Sequence, residues 1–110
     1  MNEFEFKDLH VARTYWQRLK GLDGKTSLPE DFGLLFPNCH AIHMFGMKIP
    51  LDIIYLNFNN DVTGIETISP WSVGHAPTGT KHTLETAAGW AKVHSINVGD
   101  HLSNQWDTSK

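Results

Sequence analysis

A single cysteine, Cys39, rules out an internal disulfide, and nothing in the composition calls for an oxidising compartment. Basic residues are also few. Nine Lys and Arg against twelve Asp and Glu leave a net charge of −3. Their nearest approach to a cluster is Arg13, Arg18, Lys20 and Lys25, around one predicted helix end, and the others are scattered. A nucleic-acid partner is therefore not expected. No apolar run approaches the ~20 residues that cross a bilayer, so no membrane partner is expected either. The opening segment "MNEFEFKDLH" has neither a basic n-region nor an apolar h-region, and the expected location is the cytoplasm. Cys-x-x-Cys and His-Glu-x-x-His are both absent.

The residues that remain are those of an ordinary globular chain: 40% hydrophobic and 19% charged, with no low-complexity tract and no repeat. The length fits one domain over residues 1–110. Residues 3–7 alternate as a short strand. From Asp8 the period changes. Leu9, Ala12, Trp16 and Leu19 fall at helical spacing, with Asp8 as N-cap and Gly21 past the end. "FGLLF" (32–36) and "AIHMF" (41–45) read as strands. "LDIIYLNF" (51–58) is apolar on both parities and so is expected inside a sheet, covered on both sides. "NND" (59–61) is a hairpin turn and "VTGIETI" (62–68) the return strand. A long loop over 69–81 follows, then "HTLE" (82–85), one or two helical turns within 87–96, and a last strand over 101–106. The fold expected is mostly β, a small barrel or sandwich of short strands with one N-terminal α-helix packed against it.

Three ordered segments carry a resemblance. "RLKGL" (18–22) is similar to an Arg-x-x-Gly-Leu after a first helix. "IHMFGMKIPLDIIYLN" (42–57) resembles a central motif of the Val-His-Thr-Phe-Gly-Met type. "TLETAAGWAKVHSINVGDHL" (83–102) resembles a Leu-Glu-x-x-x-Gly segment followed by Gly-Asp. Together, over about residues 10–103, they resemble the family called domain of unknown function 192. Met44 departs from that pattern, where close relatives carry Thr. The resemblance implies a small, mostly β fold and supplies no reaction, cofactor or catalytic residue.

Asp52 raises the sharpest question, because an ionisable group inside an apolar strand is costly unless it is partnered. If 41–45 and 51–58 pair as a hairpin, His43 opposes Asp52 on one face, with Cβ atoms ~4.5–5.5 Å apart. The pair would then form a poised base, with Glu85 as the second acid of the family motif. The competing and favoured reading is that Asp52 accepts backbone N–H bonds and pins the turn after Pro50. Cys39, His40 and His43, with His75, His82 and Glu85, form too incomplete a pattern for zinc. No metal and no cofactor are expected. Trp71, His75 and Lys48 are candidates for ligand contact, Trp71 and His75, with Lys81, as the lip of a binding loop and Trp71 alternatively as a core plug.

The function expected is a non-catalytic binding module for a small ligand, sugar or peptide. The alternatives are a hydrolase-like or metal-assisted enzyme using His43, Asp52 and Glu85, and a protein–protein adaptor.

Overall fold

A computed structural model of the chain describes residues 8–11, 28, 32–39 and 49–102. Five strands occupy them: β1 Asp8–Val11, β2 Phe32–Phe36, β3 Leu51–Leu56, β4 Val62–Ile68 and β5 His82–Ala87. One helical turn, α1, covers Trp90–Val93. The strands form one sheet in the order β1-β2-β5-β3-β4. β1 runs parallel to β2, and every other neighbour is antiparallel.

Two expectations are corrected here. Among the described residues the sheet is open, with β1 and β4 at its edges, and neither closes into a barrel nor faces a second sheet. The segment Asp8–Val11, expected to begin a helix, is strand, and the helix found among the described residues lies at Trp90–Val93. "DLHV" alternates polar and apolar and ends on a β-branched valine, so it fits a strand as well as a helix start. Pairing with the buried β2 decides between them. The rest of that expected helix, and the strands expected at 3–7 and 41–45, lie outside the described residues.

β3 is buried at all six positions, as its double apolar pattern requires. Leu51, Ile53 and Tyr55 join Phe32, Leu34 and Ile68 on one face, against which Ile49 and Ala76 pack. Ile54 and Leu56 join Leu35 and Leu84 on the other, covered by Trp90, Ala91, Ile96 and Leu102. Each such buried side chain contributes about 1.5–3 kcal/mol before entropy is counted.

The β3–β4 hairpin turns through 57–61. Asn60 supplies left-handed backbone (φ 65°), and the Asn57 side-chain oxygen accepts from the amides of Asn59 (2.9 Å) and Asp61 (3.0 Å). A bulge between Tyr55 and Leu56 then shifts the register. The segment after Ile96 returns to the hairpin, where the Val62 amide donates to Asp100 and the Leu102 amide to Asn60. His101 meets Asp61 at 2.9 Å and holds its carboxyl below the usual carboxylate range.

The loop over 69–81 folds back across the Tyr55 face. Its far end is tied by the Lys81 amide to Leu56 (2.7 Å) and by a Thr63–Thr80 hydroxyl contact (2.8 Å). Pro77 occupies the space that Gly64 leaves open. A Cβ at position 64 would stand 2.6 Å from Pro77 Cγ and 3.1 Å from its Cδ. The proline ring is stiff, so the clash cannot be relieved by a rotamer change. Gly64→Ala is expected to cost about 1–3 kcal/mol, the usual range for overpacking, and to lift the loop off the sheet. Urea unfolding together with amide exchange at residues 76–81 measures both effects. A variant that unfolds at the parental midpoint with unchanged exchange would show that the close approach is not required.

Candidate functional site

Asp52 is 2% exposed, and its partners answer the question the sequence raises. The Thr67 hydroxyl donates to Oδ1 at 2.7 Å, and the Ala91 backbone amide donates to Oδ2 at 3.0 Å. Thr67 is the register partner of Asp52 across β3 and β4, so that bond follows from the hairpin. The second bond follows from the helix. The N-cap of α1 is Gly89, in left-handed backbone (φ 91°), and a glycine has no side-chain oxygen to cap the turn. A carboxylate 39 residues away supplies the missing acceptor. The favoured reading of Asp52 holds in kind, since it accepts a backbone N–H. The segment it pins is α1, in place of the turn after Pro50.

Glu85 lies in the opposite layer. Asp52 pairs with Thr86 and Ile53 with Glu85, so the side chains of Asp52 and Glu85 leave the sheet on opposite faces. Glu85 is fully buried between Ile53 and Leu34 in the register. The two carboxylates therefore cannot act on one bound molecule. His43, their expected companion, and Lys48 lie outside the described residues.

A different polar group gathers on the Glu85 face. Tyr55 Oη donates to Glu66 Oε2 at 2.6 Å, and the His75 backbone amide donates to the same oxygen at 2.8 Å. The His75 imidazole Nδ1 stands 3.9 Å from Glu66 Oε1, with the His75 side chain 85% exposed. Burial, then the bond and charge of Glu66, push the Tyr55 hydroxyl far above its ordinary value, with Glu85 adding to the rise. Tyr55 is thus a permanent donor. Glu66 and Tyr55 escaped the sequence reading. The hairpin pattern was the available signal, but the bulge beside Leu56 hides the pairing of Ile53 with Glu66 from a simple count.

Trp71 is 66% exposed. Pro70 and Trp71 form the centre of a turn closed by the Ser72 amide on the Ser69 carbonyl at 3.2 Å, and Trp71 has φ 65°. Proline followed by a positive-φ residue is the pattern of a type II turn, whose third position favours glycine. The plug reading of Trp71 does not fit this exposure.

Elsewhere the chemistry is absorbed locally. His82 is buried, and its Nδ1 accepts the Asn38 amide at 3.0 Å, while the Thr83 hydroxyl donates to the Cys39 carbonyl at 2.7 Å. Among the described residues no three His, Cys, Asp or Glu side chains converge as metal ligands. None of the helices there is long and apolar enough to cross a membrane.

Fold and site together define a mostly β chain built on one open sheet, with its carboxylates divided between two faces. It belongs to the DUF192 family, described as an uncharacterized ACR, whose profile matches residues 2–104. A UPF0127 protein of Thermococcus sibiricus is 24% identical over 104 residues, covering 91% of this chain and 66% of that protein. A UPF0127 protein of Pyrococcus abyssi is 31% identical over 68 residues, covering 62% and 56% respectively. This chain thus spans between about half and two thirds of the length of these relatives. A crystal structure of a protein of unknown function from Novosphingobium aromaticivorans is similar with a TM-score of 0.73 and 30% identity, covering 84% of this chain and 71% of that one. Another, from Sinorhizobium meliloti, whose name proposes a transcription regulator, has a TM-score of 0.72 and 24% identity, covering 84% and 78%. At that identity it carries the fold alone.

Two outcomes follow from this geometry. Asp52→Ala strands the buried Ala91 amide, at about 1–3 kcal/mol for a buried donor left without an acceptor, while the Thr67 hydroxyl, on an exposed residue, can turn to water. Asp52→Asn, which keeps one acceptor, is expected to cost about half as much, and exchange at the Ala91 amide should accelerate in both. Full parental stability of Asp52→Ala in denaturant would show the carboxylate to be dispensable. The second concerns pH. Burial, and then the Lys81 charge, lower the pKa of His82. Protonation would also oppose the Asn38 amide with a second donor. Its stabilising contribution is complete above the unfolded histidine value of about 6.5 and is lost as pH falls through the lower folded value. His82→Asn, which keeps an acceptor without the titration, should flatten the melting temperature between pH 7.5 and pH 5. A parallel pair of pH profiles would assign the acid sensitivity elsewhere.

Proposed function

We propose that this chain is a non-catalytic binding module and that residues 69–81 form its recognition surface for a small ligand, sugar or peptide. One observation carries the reading: Trp71 projects into solvent from a backbone conformation that costs a bulky side chain ~1–2 kcal/mol. Strain held at an exposed aromatic residue is a mark of a functional position. Val73 and His75, exposed on the same loop, offer an apolar contact and a hydrogen-bonding ring beside it. The division of Asp52 and Glu85 between faces weighs against the enzyme that would use both with His43. Lys48 stays a candidate contact. The net charge of −3 suits a neutral or cationic ligand better than nucleic acid, whatever the Sinorhizobium protein does. One free thiol and no internal disulfide suit the cytoplasm.

A second reading, the protein adaptor, has its own observation. Phe58 at the hairpin tip is 74% exposed, and Val98 in the turn before Asp100 is exposed as well. The discriminating experiment is an amide NMR titration with a panel of monosaccharides, tripeptides and small carboxylic acids, run on the parent and on Trp71→Gly. Glycine relieves the left-handed strain and gives up only the contacts of an exposed side chain, so the variant should stay within about 1 kcal/mol of parental stability and lose the ligand response at 66–81. A loss of about 2 kcal/mol or more, at the level of a buried aromatic residue, would return Trp71 to a structural role. A panel without response at 66–81, with shifts at 58 and 98 on adding a cell-derived protein fraction, would favour the adaptor.

A further inference from the structure

The two oxygens of Glu66 are in different states. Oε2 accepts from the Tyr55 hydroxyl at 2.6 Å and from the His75 amide at 2.8 Å, which uses both of its lone-pair directions. Oε1 has one polar neighbour among the described residues, the His75 imidazole Nδ1 at 3.9 Å, and the Glu66 side chain is 32% exposed. The two donors on Oε2 fix the side chain and so hold Oε1 in one orientation. The segment that carries His75 is fixed at several points as well. The Ser72 amide closes a turn on Ser69, Val73 lies in a β-bridge, and the His75 amide bonds to Glu66. The pairing of Oε1 with Nδ1 is therefore a standing feature of the surface and needs no movement to form.

At 3.9 Å these two atoms are too far apart to share a hydrogen bond directly. One donor nitrogen placed between them stands about 2.8 Å from each and bonds to both. Water can bridge the same gap, but charge favours a cation over water. From Val62 to Thr80 the sequence holds one carboxylate, Glu66, and no Lys or Arg to neutralise it. Glu85 is buried on the same face, and both carboxylates raise the Tyr55 hydroxyl above its ordinary value. Apolar surface adjoins in the chain. Trp71 and Val73 precede His75 by four and two residues, and both are exposed. An indole face attracts an ammonium group, and apolar surface suits an alkyl stem.

We propose that Glu66 Oε1 and the His75 ring form the polar end of a site for a primary alkylammonium group, whose alkyl stem lies toward Trp71 and Val73. The proposal rests on the reading of residues 69–81 as the recognition surface and names the chemistry that surface takes. A neutral imidazole with its proton on Nε2 presents Nδ1 as an acceptor. An ammonium carries three N–H donors on one nitrogen, so a single nitrogen reaches both acceptors. A guanidinium draws its advantage from a fork on two carboxylate oxygens, and Oε2 is already taken. The same ammonium chemistry is carried by the lysine side chain of a peptide and by a free amine.

Amide chemical shifts test this at fixed ionic strength, in titrations with n-butylammonium, n-butylguanidinium, 1-butanol and Nα-acetyl-lysine methylamide. Butylammonium should shift the amides of residue 66 and residues 71–75, with butylguanidinium weaker and butanol weaker still. Glu66→Gln is the decisive variant. The Tyr55 and His75 donors require its amide oxygen, which turns the side-chain NH₂ to where Oε1 stood. The fold keeps its bonds while the ligand meets a donor, so affinity should fall about tenfold or more. His75→Leu keeps the backbone bond and removes only an exposed ring, so it should also weaken binding, and it carries the test if Glu66→Gln fails to fold. Butylammonium binding that is unchanged in both variants overturns the site, and so does butylguanidinium binding as tightly as butylammonium. A response at 66–81 to monosaccharides or carboxylic acids without one to butylammonium overturns the ammonium site and leaves the loop as the recognition surface. Silence from every compound overturns both. Tighter binding of the lysine derivative than of butylammonium assigns the amine to a peptide, and the reverse order assigns it to a free amine; either result keeps the site.

Discussion

Asp52 ties a hairpin to a helical turn that lies far from it in sequence. Through Thr67 it braces the β3–β4 hairpin, and through the Ala91 amide it seats α1 on the sheet. A single turn of helix has no stability of its own in water, because nucleation costs more than one turn of hydrogen bonding returns. α1 persists because Trp90 and Ala91 are buried against β3 and β5 and because an external carboxylate caps it. The same group would be a liability if either partner were missing, since a buried charge without hydrogen bonds is far more costly than an apolar residue in its place. The second hydrophobic layer is organised around this one polar point.

The opposite layer obeys a different constraint. There, among the described residues, loops cover the sheet, and the fit depends on what is absent at Gly64. Tyr55 is the hinge between apolar and polar chemistry on this face. Its ring fills the core and its hydroxyl reaches Glu66, as a buried tyrosine generally must find an acceptor. The sheet thus separates a layer whose carboxylate serves structure from a layer whose carboxylates lie on the face crossed by the loop over 69–81. Separation by a sheet one residue thick is enough to keep Asp52 and Glu85 from sharing chemistry, although they belong to adjacent strands.

Much of the sheet was legible from residue pattern. The apolar run at Phe32–Phe36, the doubly apolar β3, the Asn-rich turn and the return strand all appear with nearly the expected limits. Each is dictated by local physics: burial on both parities, or an asparagine that tolerates left-handed backbone. The segment at Asp8–Val11 was not legible. Four residues that satisfy both periods are resolved only by the strand they meet. Closure was not legible either, because strand sequences specify faces and not the shape of the sheet. At the site, the structural service of Asp52 was foreseen in kind, but its partner lay 39 residues on, beyond any spacing rule.

From sequence alone came the β character, the alternation that assigns each residue of β3 to a face, the exposure-prone loop at 69–81 and the resemblance that the family match bears out. These depend on short-range periodicity and on the costs of burial, which any window of the chain reveals. Only the tertiary structure decided that Glu66, and no residue singled out beforehand, receives Tyr55 and His75, and that Trp71 faces solvent in place of plugging the core. Those outcomes turn on register, where one bulged residue re-aims every side chain beyond it. They turn also on the path of a loop whose ends are fixed by groups distant in sequence, and a linear pattern carries no record of which distant groups will meet.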